Sequence, residues 1–238
     1  MTRVSVCMAT YNGALYLREQ LESILVQLHP EDELIISDDH STDDTRSIIA
    51  SYKDPRIKMI MNTGKTGHVG NFSNAMAHAT GEFIALSDQD DIWVEKRLDR
   101  MVALLQGLRP HSLVVGDIVE FDSNGVRANQ RPLGPTPANK YLQMLYIYLG
   151  RSKYCGCAFL FRRELTRYVL PIPSYIISHD LFTVLCASVH GKVVHLEEKT
   201  LMHRLHGNNK SPLRRGGLWY IMRSRVINTI GLLQSSFR

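Results

Sequence analysis

The sequence predicts an α/β fold: a central, mostly parallel sheet with helices on both faces. Two observations carry that expectation. Between Val4 and Leu108, short apolar runs alternate with segments whose large apolar residues recur at helical spacing, in the order β-α-β-α-β-α-β-α, which a parallel sheet with crossover helices satisfies. The apolar runs are also short and nearly uninterrupted, as in strands buried on both faces. A chain of 238 residues can bury a sizeable core. The reading places one domain over residues 1–210, with parts at 1–110 and 111–210, and a basic amphipathic helix over 211–238.

Val4 to Ala9 reads as the first strand, and Thr10-Tyr11-Asn12-Gly13 as the turn that leaves it. Leu17, Leu21, Ile24, Leu25 and Leu28 then share one helix face until Pro30. Glu33 to Ser37 is the second strand; it ends in Asp38-Asp39-His40, and Ser41 with Asp44 has the spacing of a capping box. Arg56 to Met61 forms the third strand, followed by a glycine-rich loop and a helix from Asn71 to about Thr80. Glu82 to Leu86 is the fourth, and a helix from near Val94 to Leu108 follows it. The second half adds a strand at Leu113 to Asp122, a turn at Ser123-Asn124-Gly125 and a loop from Asn129 to Asn139. A helix at Tyr141 to Leu149 comes next, then a strand at Tyr154 to Phe161 and a helix opening at Arg162. A further helix runs from Ser178 to about His190, and Lys192 to Leu196 is the final strand.

The chemistry concentrates where strands end. Asp88, Asp90 and Asp91 put three carboxylates within four residues after a buried strand. Such charges repel unless a cation, a helix N-terminus or a donor array compensates them. A bland alternative is that Asp90 or Asp91 caps the next helix. Asp39, at the end of the second strand, is placed to accept hydrogen bonds from a base or a sugar hydroxyl. Gly64-Lys65-Thr66 resembles the end of a phosphate-binding loop, but Met59 stands where that motif needs glycine. Lys65 therefore meets a phosphate by charge attraction or is a solvated loop lysine. Asp180, beside His179 at a helix start, is a cap or a base. His206 and Arg204 lie in a polar stretch rich in metal-binding side chains.

The net charge of +5 suggests an anionic partner, but no nucleic-acid-binding motif is present and the acidic clusters would repel a phosphate backbone. Cys7, Cys155, Cys157 and Cys186 form neither a disulfide scaffold nor a zinc spacing, and no partners for Cys155 and Cys157 are legible. No apolar stretch reaches the roughly eighteen residues of a membrane span, and the N-terminal apolar run is too short for a secretory signal. Beyond Pro212, apolar residues alternate with Arg214, Arg215, Arg223 and Arg225, a helix that packs on the domain or lies on an anionic membrane.

With these residues in view, the chain resembles the family 2 glycosyltransferases of the GT-A fold, especially the rhamnosyltransferase-like enzymes of bacterial polysaccharide synthesis. The resemblance rests on five motifs in order: Ala-Thr-Tyr-Asn-Gly ending at Gly13, Asp38 to Asp43, Asp88-Gln89-Asp90-Asp91-x-Trp93, His179-Asp180, and Arg204-x-His206-Gly207-x-Asn209. It departs from the family pattern at His40, where glycine or asparagine is common. The resemblance implies that Thr10, Tyr11, Asn12, Asp39, Asp88, Gln89 and Arg204 bind a nucleotide-sugar donor, and Lys65 and Asn71 of the glycine-rich loop are expected to join them. It implies that Asp90 and His206 hold Mn²⁺ or Mg²⁺ and that Asp180 is the general base. The acceptor implied is a glycan, lipid-linked, met on the cytoplasmic side with peripheral membrane contact. An inactive partner protein and a metal-dependent nucleotidyltransferase are the rival readings.

Overall fold

The computed structural model describes residues 3–127, 132–150, 154–207 and 218–236. Its first half follows the expected alternation: β1 (Val4–Thr10), α1 (Leu17–Leu25), β2 (Glu33–Asp38), α2 (Thr45–Ser51), β3 (Ile57–Met61), α3 (His68–Ala77) and β4 (Phe83–Ser87). A two-residue strand, β5 (Ile92–Trp93), precedes α4 (Arg97–Gln106). The second half runs through β6 (Leu113–Asp122), β7 (Gly125–Arg127), α5 (Lys140–Tyr148), β8 (Phe159–Arg162), α6 (Thr166–Val169), α7 (His179–His190), β9 (Val193–Arg204) and α8 (Leu218–Ser236).

The sheet order is β3-β2-β1-β4-β8-β6-β9-β5, with β7 paired to β6. The first four strands are all parallel. Beyond β4 the sheet is mixed: β8 runs antiparallel to β4 and β6, whereas β6 and β9 are parallel. Alternate residues along β1 face opposite layers. Val6 and Met8 pack with Leu17, Leu21 and Ile24 of α1 and with Leu98, Met101 and Leu105 of α4. Cys7 packs with Phe72 and Met76 of α3 and Phe182 of α7. Both sheet faces are thus covered, which is why the strands read as continuous apolar runs.

Several local expectations need correction. Ser41 and Asp44 make no capping box: Asp44 caps α2 with no side-chain bond, and the Ser41 hydroxyl donates instead to Asp38, 2.5 Å away. Neither Asp90 nor Asp91 caps α4, because β5 intervenes and that helix starts only at Arg97. The expected strand from Tyr154 begins at Phe159; the residues before it form a 3₁₀ turn, Gly156–Ala158. The last strand is far longer than expected and runs to Arg204, since pairing with β6 and β5 extends it. The boundary at 210, Arg214, Arg215 and Asn209 lie outside the described residues.

Helix α8 packs against α7, with a close approach at Gly231, where an added Cβ would lie 3.0 Å from both Ile176 and Phe182. Its inner face mixes the buried Ser224, Asn228 and Ser235 with Leu232, which joins the core alongside Ile227. Val226, Ile230 and Leu233 point outward, between 45% and 59% exposed. Packing on the domain is therefore the arrangement seen, and the outward side of this helix combines these apolar residues with the exposed Arg223. No helix of the described residues is long and apolar enough to cross a membrane.

Candidate functional site

The carboxyl ends of β1, β2 and β4 meet at one edge of the parallel half, the position where open α/β sheets bind ligands. Thr10 closes β1 with its hydroxyl donating to Asp38, 2.9 Å, and Asp38 is fully buried, also accepting from the Ser41 amide. Asp38 therefore organises the turn from within. Its neighbour Asp39 is nearly as buried in the same turn, 8% exposed. Its two oxygens accept from the Asn62 amide group and from the Gly67 N–H, each at 2.7 Å. A carboxylate has about four lone-pair sites, so acceptor capacity remains for a ligand. Asn71 donates to the Thr10 carbonyl, 3.0 Å, while its buried Oδ1 has no partner.

The loop after β1 is held from two sides. Gln89 clamps Tyr11 by accepting from its N–H (2.8 Å) and donating to its carbonyl (3.1 Å). Gly13 leaves room for this, since a Cβ there would lie 2.2 Å from Gln89 Oε1. Asn12 receives the Thr42 N–H, 2.8 Å, and its own N–H donates to Ser41. Asn12 and His40 both adopt left-handed backbone, φ 48° and 63°, a region open to few non-glycine residues. Glycine and asparagine suit that region best; His40 occupies it with its Nε2 3.1 Å from the Asn62 carbonyl. Lys65 donates to the Ser174 carbonyl, 2.5 Å, tying the glycine-rich loop to the second half of the chain.

The acidic cluster is completed by strand pairing. Ile92 pairs with Met202 and Trp93 with Leu201 in antiparallel register. Continued outward, that register sets Asp91 beside His203 and Asp90 beside Arg204. Asp91, fully buried, lies 2.9 Å from His203 Nδ1 and accepts the Arg204 N–H, 3.1 Å. Arg204 donates to the Asp90 carbonyl and to Glu19, and its guanidinium lies over the rings of Tyr16 and Phe121. His206 Nε2 lies 2.8 Å from Asp90 Oδ2. Burial, then Asp91, Asp90 and Asp180, push the Asp88 carboxyl up to about 7. Asp90 is raised too, by burial and by Asp91, against the His206 contact. Burial would lower His203, but Asp91 outweighs it and lifts the imidazole to about 10.

Asp180 stands at the start of α7, but the cap is Ser178, which accepts the Leu181 N–H, 3.1 Å. Asp180 is thereby left free of that structural duty. Its Oδ1 is 2.7 Å from His179 Nε2, an ion-pair distance without hydrogen-bond alignment. Burial would raise the Asp180 carboxyl, but the His179 charge and a hydrogen bond with the Gly156 backbone hold it below the usual carboxylate range. His179 is stacked on Phe72, centroids 4.3 Å apart, with His68 edge-on at 5.7 Å.

The fold thus gathers Asp88, Asp90, His206 and Arg204 on one side, with Asp180 near enough to disturb Asp88, and Thr10, Tyr11, Asn12, Asp39, Asn71 and Gln89 around the adjoining strand ends. His203 had no role of its own legible in the sequence, Asp91 only that of a clustered carboxylate or a helix cap, and Gly156 none. The pairing of β5 with β9, invisible in a two-residue strand, is what recruits the first two. A glycine between two cysteines was the only mark of the third.

The family model described as Glycosyl transferase family 2 matches residues 5–170. The chain belongs to glycosyl transferase family 2. It is 31% identical over 220 residues to an uncharacterized glycosyltransferase of Nostoc sp., a match covering 87% of this chain and 66% of that protein. It is 26% identical over 221 residues to the dTDP-rhamnosyl transferase RfbG of Shigella flexneri, covering 85% of this chain and 73% of RfbG. With the Escherichia coli protein WfgD, named a UDP-Glc:α-D-GlcNAc-diphosphoundecaprenol β-1,3-glucosyltransferase, it shares 34% identity over 102 residues, 43% of this chain and 40% of WfgD. The chain therefore spans less than two thirds of some of these family 2 relatives. Residues 1–349 of Staphylococcus aureus TarS, solved with UDP-GlcNAc, superpose with a TM-score of 0.73 at 20% identity, covering 97% of this chain and 67% of TarS. That likeness shows a shared fold, the GT-A arrangement.

Proposed function

We propose that this family 2 chain is an inverting, metal-dependent hexosyltransferase that moves a sugar from a dTDP- or UDP-sugar to a hydroxyl of a growing, lipid-linked bacterial surface glycan such as O-antigen or capsule. One observation carries the reading: an acidic cluster paired with His206 stands beside a separate carboxylate, Asp180, that is ionised and held by His179. The relatives support the substrate classes, since RfbG is named for a dTDP-rhamnosyl donor and WfgD for a diphosphoundecaprenol-linked acceptor.

A divalent cation, Mn²⁺ or Mg²⁺, fits the residues present. The Asp88 carboxyl is pushed up to about 7 by burial and by the neighbouring carboxylates, a repulsion that an oxygen-ligated cation relieves. Asp90 and His206 would hold the ion beside Asp88, and it would supply charge stabilisation for the departing diphosphate. Thr10, Tyr11, Asn12, Asp39 and Asn71 bind the nucleoside end, and Lys65 and Arg204 add positive charge near the phosphates. Asp180 accepts the acceptor hydroxyl's proton as that oxygen bonds to the anomeric carbon. The bond from that carbon to the diphosphate oxygen breaks and its electron pair leaves with the diphosphate. Attack from the face opposite the leaving group inverts the configuration. The place of work is the cytoplasmic face of the inner membrane, with peripheral contact and no nucleic acid partner.

The test is thermal unfolding with UDP, dTDP, GDP and CMP, each with and without Mn²⁺. Ligand at a hundred times its dissociation constant stabilises by about 2.7 kcal/mol. A Mn²⁺-dependent shift with dTDP or UDP is expected. No shift with any nucleotide, or pyrophosphate release from a nucleoside triphosphate and a sugar phosphate, would overturn the assignment.

A further inference from the structure

We propose that Cys155, Cys157 and His203 form a second, thiophilic metal site that takes Zn²⁺. The three residues come from distant places. Cys155 and Cys157 flank Gly156 at the 3₁₀ turn before β8, and His203 lies near the end of β9. Each nevertheless offers a ligand atom within 4.8 Å of the other two. The two sulfurs are 3.0 Å apart. They would share one tetrahedral ion on opening to roughly 3.8 Å, the separation that two Zn–S bonds of about 2.3 Å require.

Carboxylates adjoin the trio at Cys157. Asp91 and Asp88 each place a carboxylate oxygen within 4.8 Å of the Cys157 sulfur and of one another. Asp91 is 0% exposed, its Oδ1 engages His203, and its Oδ2 is buried with no hydrogen-bond partner. A histidine oriented by a carboxylate is the arrangement commonly found behind metal-ligating imidazoles. Arg97, the cation already buried here, donates to the Cys157 carbonyl, 2.5 Å, and two of its nitrogens remain unpartnered. A cation bound by the two sulfurs and His203 would balance the carboxylates beside them.

This site differs from the oxygen-rich Asp90–His206 pair in ligand softness, since thiolates and imidazole select zinc over Mn²⁺ or Mg²⁺. It would fasten the turn whose Gly156 backbone bonds to Asp180 to the strand that carries Arg204. The inference stands on the ligand geometry alone and does not depend on the transferase reading.

The experiment is metal analysis of the full chain after dialysis against Zn²⁺, followed by replacement with Co²⁺ and absorption spectroscopy. One zinc per chain is expected, and with cobalt an intense near-ultraviolet thiolate-to-metal band. The band should vanish in the double variant Cys155→Ser, Cys157→Ser and persist in Asp90→Ala. The wild-type spectrum decides even where a variant fails to fold. No zinc and no band in wild type, a band surviving the double variant, or a Cys155–Cys157 disulfide found by mass in place of metal would each overturn the site.

Discussion

At the scale of single residues, the geometry turns on places where a side chain is missing. Gly156 is one: a Cβ would stand 2.1 Å from Asp180 Oδ1 and 2.8 Å from His179 Nε2, so any side chain would push Asp180, the proposed base, from its seat. Gly156→Ala is expected to lower kcat at least tenfold while nucleotide affinity changes little, since Asp39 and Tyr11 lie on other elements. Asp180→Asn should go further, a loss of roughly 10²–10⁴-fold in transfer for a general base, again with nucleotide binding preserved. Comparing kcat and nucleotide dissociation constants for both variants checks this; near-normal turnover in Asp180→Asn would remove it from the mechanism. His40 makes the complementary point, a residue tolerated in left-handed backbone because its ring bonds to the Asn62 carbonyl.

At the scale of elements, Glu33 shows how one buried carboxylate joins several. It sits at the start of β2, 1% exposed. It accepts from Ser5 of β1, from Thr80 before β4 and from Lys58 of β3, with Arg3 3.1 Å away. Burial alone would raise its carboxyl, but these donors outweigh it and bring it down to about 2. The sign follows from a folded value below the unfolded one: this stabilisation is complete above the ordinary glutamate range and is lost as pH falls towards 2. Glu33→Gln should cost about 2 kcal/mol at neutral pH and flatten the acid limb of the stability curve, as measured by urea unfolding between pH 7 and pH 3. An unchanged acid limb would show that other carboxylates set it. The β5–β9 pair is the second such element, two residues long, yet it sets the register that brings Asp91 to His203.

At the scale of the whole molecule, α8 turns small polar residues towards the domain and Val226, Ile230 and Leu233 away from it. An outward apolar row at helical spacing is the face that an interfacial helix buries in a bilayer. The peripheral membrane contact proposed above would use it. Co-sedimentation with vesicles containing anionic lipid is expected for the wild-type chain and should fall several-fold when all three residues are changed to serine. Indifference of the wild-type chain to such vesicles would assign the face to another protein surface instead.

The succession of strands and helices in the first half, the strand ends and the acidic cluster were legible in the sequence, because apolar period and turn chemistry are local properties. Leu17, Leu21 and Ile24 announce α1, and Asp88 to Asp91 announce charge that needs compensation. What the sequence could not show is partnership across long separations. That Ser41 serves Asp38 and not a helix cap, that β8 enters antiparallel beside β4, and that His203 stands against Asp91, Cys155 and Cys157 were decided only by tertiary structure. Those choices depend on which strand lies beside which, a balance of packing over the whole sheet that no short window contains. The sequence by itself determined the kinds of groups available and the ends of the strands where they would gather. The tertiary structure decided which of them meet, since distance and burial, not residue type, set the charge and hydrogen bonding of each.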